Sequence, residues 1–174
     1  HDLLGAYDFL VGAGVPPNRI AYLGFSLGGA ISLLTASQQG SVQAVVADSS
    51  FADISDLIAE EVPKRSPAPR WAVPALLPGT IVAARLVYGI DIRAISPGKA
   101  IAKYPHPVLL IHGLKDERIP TQHAQRLVAA SPNKDTQLWL VPDAEHARAF
   151  KAQPQEYVQR LVSYLDSRFP QTQP

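Results

Sequence analysis

A chain of 174 residues, 47% hydrophobic and 18% charged, is long enough to bury one sizeable core and suits a single domain, residues 1–174. Its 16 basic and 15 acidic residues leave a formal net charge of +1, which argues against nucleic acid as a partner and favours a small-molecule ligand. There is no cysteine, so disulfides and thiolate chemistry are excluded and serine must carry any nucleophilic step.

The apolar residues Leu3, Leu4, Tyr7, Leu10 and Val11 recur at helical spacing, and the pattern stops at Gly12 and Gly14 ahead of Pro16-Pro17-Asn18. Because the first residues already read as helix, we expect sequence to precede His1. Ile20 to Phe25 is a short apolar run that predicts a strand. Gly24 to Gly29 forms a glycine-rich corner, and Ala30 to Ala36 suits a buried helix. Val42 to Ala47, Val108 to Ile111 and Gln137 to Val141 are further apolar runs bounded by polar or Pro/Gly residues, the pattern of parallel strands buried on both faces. Helices are expected at Thr121 to Ala130 and at Tyr157 to Arg168, the second with an apolar stripe of Tyr157, Leu161, Tyr164, Leu165 and Phe169.

This alternation predicts an α/β fold with a doubly wound, mostly parallel sheet. Residues 52 to 95 break the rhythm, with Pro63, Pro67, Pro69, Pro74 and Pro78 between short amphipathic pieces, and read as an inserted helical cap. No apolar run reaches the roughly 18 residues that a spanning helix needs, and residues 1 to 15 lack a signal-peptide pattern. A cytoplasmic location is expected, with an anchor upstream of His1 left open.

Gly24-Phe25-Ser26-Leu27-Gly28-Gly29 contains G-x-S-x-G between a predicted strand and a predicted helix. So tight a turn forces the serine into a strained backbone, and glycines two positions either side let the neighbouring backbone pass. Ser26 Oγ then projects above the sheet, and the Leu27 N–H at the head of the helix is placed to stabilise an oxyanion. A serine also needs a base, and the base needs an acid to hold its tautomer. His146 follows the last predicted strand in Pro142-Asp143-Ala144-Glu145-His146-Ala147 and is the expected base. Asp116, in the loop leaving the third strand, is the expected acid, with Asp48 at the end of the second strand as its rival. His1, His106, His112 and His123 are read as structural or solvated, Ser49 and Ser50 as structural. Asp143 is too close to His146 in sequence to orient it, and Glu117 faces elsewhere.

The strings Gly24 to Gly29, Ser96-Pro97, Pro107 to Pro120 and Ala144 to Phe150 resemble the C-terminal two thirds of α/β-hydrolases of the serine aminopeptidase-like and prolyl-oligopeptidase-like branch. The I-H-G-x-x-D-x-x-I-P loop, Ile111 to Pro120, is the more specific part of the likeness. Glu145 departs from the glycine that many members carry before the histidine. The resemblance implies a Ser26–His146–Asp116 triad and a two-step acyl transfer. It also implies that the family's first strands, and the loop giving a second oxyanion donor, precede His1. The strand at Ala21 to Phe25 would then be left as an exposed edge through which copies could associate.

A short-chain carboxylic ester is the first substrate class and an amide or peptide the second. The alternative of another kind is a catalytically silent interaction domain. No cofactor, metal or nucleic acid is expected, and no membrane segment within this chain. Phe25, Phe51, Trp71, Leu76, Leu77 and Tyr88 are the candidate pocket walls.

Overall fold

A computed structural model describes residues 2–65 and 94–169, together with residues 78, 79, 82, 86 and 91. Trp71, Leu76, Leu77 and Tyr88 therefore lie outside the described residues. The chain divides into two compact units, one made of His1–Ala52 and Pro97–Pro174, the other of Asp53–Ser96.

The larger unit is built on four parallel strands: β1 (Ala21–Phe25), β2 (Ala44–Asp48), β3 (Val108–Gly113) and β4 (Gln137–Val141), lying side by side in chain order. Helices α1 (Asp2–Gly12) and α2 (Leu27–Ala36) flank β1 in sequence, and α4 (Pro97–Ile101) precedes β3. Helix α5 (Gln122–Ala130) joins β3 to β4, and α6 (Ala149–Ala152) and α7 (Pro154–Arg168) close the chain. Because the strands advance in one direction, right-handed crossovers place the connecting helices of this unit on the same face of the sheet. The opposite face is covered by α6 and α7, which come after β4.

The core divides accordingly. On one face Tyr22, Val45, Ala47, Val108 and Leu110 pack with Leu33 and Ala36 of α2, Ile101 of α4 and Leu127 of α5. On the other, Ala44, Val46, Leu109, Ile111, Trp139 and Val141 pack with Ala149 of α6 and Tyr157 and Tyr164 of α7. Strands β2 and β3 are buried at every position, which is why each reads as an unbroken apolar run. The outer strand β1 is apolar throughout yet alternates between exposed and buried positions.

The predicted strands and long helices fall within a few residues of those observed. The two short helices α4 and α6 leave no such signal, since four or five residues are too few to show a helical period.

In the smaller unit, α3 (Ile54–Arg65) is capped by Asp53, whose Oδ1 accepts the Ser55 N–H at 2.9 Å. The Ile54 N–H donates to Ile95 O at 3.2 Å, tying the two ends of the unit together. No helix among the described residues is long and apolar enough to cross a membrane.

Candidate active site

Ser26 stands between the last residue of β1 and the first of α2 with φ +53° and ψ −119°. A side-chain-bearing residue adopts such a backbone at a cost of about 1–3 kcal/mol, and only where its surroundings fix it. Here the Ser26 N–H donates to Asp48 O at 2.8 Å, while Ser26 O accepts the Ala30 N–H at 3.2 Å inside α2. A Cβ on Gly24 would come within 2.2 Å of Gly28 O, so that position demands glycine.

The reading of Gly28 needs correction, because a Cβ there meets nothing within 4 Å. Gly29 is the second crowded position, where a Cβ would lie 3.1 Å from both Gly24 O and Ser50 Cβ. The first turn of α2 points Gly28 outward and presses Gly29 onto β1 and β2. Leu27 opens α2, so its N–H belongs to the first turn, whose donors have no partner within a helix.

Asp116 is reached through Gly113, whose hypothetical Cβ would fall 2.2 Å from Ala144 O. That close approach lets the β3 and β4 loops run together: Leu114 N–H donates to Val141 O at 3.0 Å and Lys115 N–H to Ala144 O at 2.9 Å. The exposed Lys115 and Asp143 add an ion pair at 2.6 Å, which raises the proton affinity of the amine and lowers that of the carboxyl. Asp116 itself is buried, and its Oδ1 accepts the N–H groups of Arg118 and Ile119, each at 2.9 Å.

Its Oδ2 is left for histidine. His146 Nδ1 lies 2.8 Å from Asp116 Oδ2 and His146 Nε2 lies 2.9 Å from Ser26 Oγ. An ionised carboxylate can only accept, so Nδ1 carries the proton and Nε2 is free to accept from the serine hydroxyl. The imidazole sits on a tight loop in which Asp143 and Ala147 have φ of +58° and +53°.

The structure thus brings together Ser26, Asp116 and His146, and it does not bring Asp48 to the imidazole. The Asp48 carboxylate is wholly buried and takes the Ser49 hydroxyl on Oδ1 at 3.0 Å. His112 is also buried, and its Nε2–H donates to Ile119 O at 2.8 Å, which braces the Asp116 loop. Burial pushes its proton affinity down, so it remains a neutral brace beside the Asp116 carboxylate, 3.5 Å away. His123 is buried on α5, where its Nδ1 accepts the Ala52 N–H at 3.2 Å. His106 is hydrogen-bonded to Gly40 O at 3.3 Å. Among the expected pocket walls, Phe25 is 45% exposed beside Ser26, whereas Phe51 is only 2% exposed and serves as core. Its bulk is enclosed at the turn after β2 and offers no open wall.

Known proteins share this fold. The chain is 27% identical over 177 residues to the alpha/beta hydrolase domain-containing protein WAV2 of Arabidopsis thaliana, covering 98% of this chain and 54% of that one. Among solved structures it resembles the esterase domain of a Rhodothermus marinus protein, with a TM-score of 0.65 at 19% identity over 94% of this chain and 66% of that one. It also resembles a puromycin-hydrolyzing peptidase of Mycobacterium tuberculosis, with a TM-score of 0.70 at 20% identity over 96% of this chain and 24% of that one. These likenesses show a partial α/β-hydrolase fold, and the chain spans about half the length of the curated relatives it matches. The model of the prolyl oligopeptidase family matches residues 83–172. Because that match runs through β3, β4 and both loops that carry Asp116 and His146, the chain belongs to the prolyl oligopeptidase family.

Proposed function

We propose that this chain carries the catalytic triad of a serine hydrolase and that its preferred substrate is a short-chain carboxylic ester. The observation that supports this most is the unbroken hydrogen-bonded line from Asp116 Oδ2 through His146 to Ser26 Oγ, with links of 2.8 and 2.9 Å. Ser26 Oγ attacks the ester carbonyl while His146 Nε2 takes the hydroxyl proton, and Asp116 holds the ring and stabilises the imidazolium. The carbonyl oxygen becomes an oxyanion facing the Leu27 N–H at the head of α2. Collapse expels the alcohol, which receives the proton from Nε2, and leaves an acyl-Ser26 ester. Water then attacks that ester with His146 again as base, releasing the acid and restoring the serine. Phe25, open to solvent beside the nucleophile, is the described candidate for contact with an acyl chain.

A peptide or amide substrate is the second reading, favoured by the family to which residues 83–172 belong. Both readings need an activated serine, which separates them from a silent interaction domain. A fluorophosphonate probe should label the parent protein and fail on Ser26→Ala. Asp116→Asn should lower turnover of p-nitrophenyl acetate by about four orders of magnitude, because asparagine favours the wrong tautomer. Labelling of Ser26→Ala, or an Asp116→Asn variant with parental turnover, would overturn the mechanism. Faster hydrolysis of an aminoacyl p-nitroanilide than of the ester would move the substrate class to amides.

A further inference from the structure

Asp48 and Ser49 stand outside the triad yet touch the backbone on both sides of it. Asp48 ends β2 wholly buried, and its carbonyl accepts the Ser26 N–H at 2.8 Å. Its Oδ1 accepts the Ser49 hydroxyl proton at 3.0 Å, and the Ser49 oxygen in turn accepts the Ala147 N–H at 3.0 Å. Ser49 is held at φ +54° and is pinned by its own N–H, which donates to Ile111 O at 2.8 Å. Carboxylate, hydroxyl and peptide N–H therefore form one line that ends on the residue after His146.

The direction of the line matters. A serine hydroxyl can donate or accept, but with its proton committed to a carboxylate it presents only lone pairs to Ala147. Asp116 steadies the imidazole from the Nδ1 side alone. The peptide behind the ring is part of a loop with left-handed residues at Asp143 and Ala147, and that loop needs an anchor. We propose that Asp48 and Ser49 are positioning residues for His146, the buried carboxylate fixing the Ser49 hydroxyl and the hydroxyl fixing the peptide that sets the reach of Nε2 to Ser26. This rests on the triad reading above. It also accounts for a carboxylate kept in the core where desolvation disfavours its charge.

The experiment compares Ser49→Ala, Asp48→Ala and Asp48→Asn with the parent protein and with Ser26→Ala, using p-nitrophenyl acetate and fluorophosphonate titration of active sites. Ser49→Ala should lower kcat per titrated site roughly 10- to 100-fold with KM unchanged, the effect of a misplaced base. Asp48→Ala should do the same. Asp48→Asn, whose carboxamide oxygen still accepts the hydroxyl, should stay within about threefold of the parent.

Amide exchange read by NMR tests the line without turnover: the Ala147 N–H should exchange at least about tenfold faster in Ser49→Ala while Leu109 and Leu110 in β3 stay protected. Parental kcat in Ser49→Ala, a loss carried by KM, an Ala147 amide still protected, or an Asp48→Asn variant as impaired as Asp48→Ala would each overturn the proposal. Parental turnover in Ser26→Ala would instead overturn the triad reading on which it rests.

Discussion

Burial holds the Asp48 carboxyl up to about 6, since desolvation outweighs the Ser49 hydrogen bond, the Tyr157 phenol and the His146 ring, while Asp116 adds repulsion. The folded chain therefore binds this proton more tightly than the unfolded chain, where the ordinary value is 3.8. Stability from this group is fully present below the unfolded value and falls as pH rises through about 6, by at most about 3 kcal/mol. Asp48→Asn should then be more stable than the parent at neutral pH, with the gain fading as pH drops from about 6 to about 4. Urea unfolding across that range checks it, and a gain independent of pH, or a loss at neutral pH, would rule the account out. The three residues of the proposed triad can be picked out in the sequence because each sits in its own motif at the carboxyl end of a strand. The Asp48 end of β2 looks equivalent there, but β2 is buried on both faces, so a side chain at its end enters the core. The link from Ser49 to the histidine loop is invisible in the sequence, because it depends on a left-handed backbone and on Ala147, far along the chain.

Helix α7 is attached to the sheet by one phenol as well as by apolar packing. Tyr164 Oη donates to Pro107 O at 2.8 Å and accepts the Val45 N–H at 3.0 Å. Val45 is paired with Val108 in the β2–β3 register, so the phenol sits where that ladder begins. Its burial pushes the phenol up to about 12, so it stays a neutral donor. Tyr164→Phe would strand two buried backbone groups, at a cost of about 1–3 kcal/mol. A denaturant midpoint unchanged by Tyr164→Phe would show that the ladder closes without it. The apolar stripe that includes Tyr164 is visible in the sequence, because helical spacing is a local property. The hydroxyl contacts are not, since Val45 and Pro107 are brought to it only when β2 and β3 pair. The inner strands β2 and β3 are legible for the opposite reason: burial on both faces makes each an apolar run.

At the scale of the molecule, β1 pairs with β2 along one side only, and no strand among the described residues pairs with its other side. Tyr22 of β1 enters the core, but Leu23 and Phe25 face the other way and are 43% and 45% exposed. Among the described residues nothing pairs with the outer N–H and C=O groups of that strand, and it has apolar side chains with no lysine or proline to discourage pairing. Edge β4 differs, since Arg160 stacks 5.0 Å from the Trp139 ring and brings charge beside it. We propose that the 174-residue chain, studied by itself, pairs with a second copy through β1. Sedimentation equilibrium should show mass rising with concentration, and Leu23→Lys should restore a monomer, because a lysine on the exposed face of an edge strand resists edge-to-edge addition. The substitution leaves Tyr22 and the β1–β2 pairing untouched, so thermal stability should hardly change. A parent chain that stays monomeric at every concentration, or a Leu23→Lys variant that associates as before, would place the contact elsewhere or remove it.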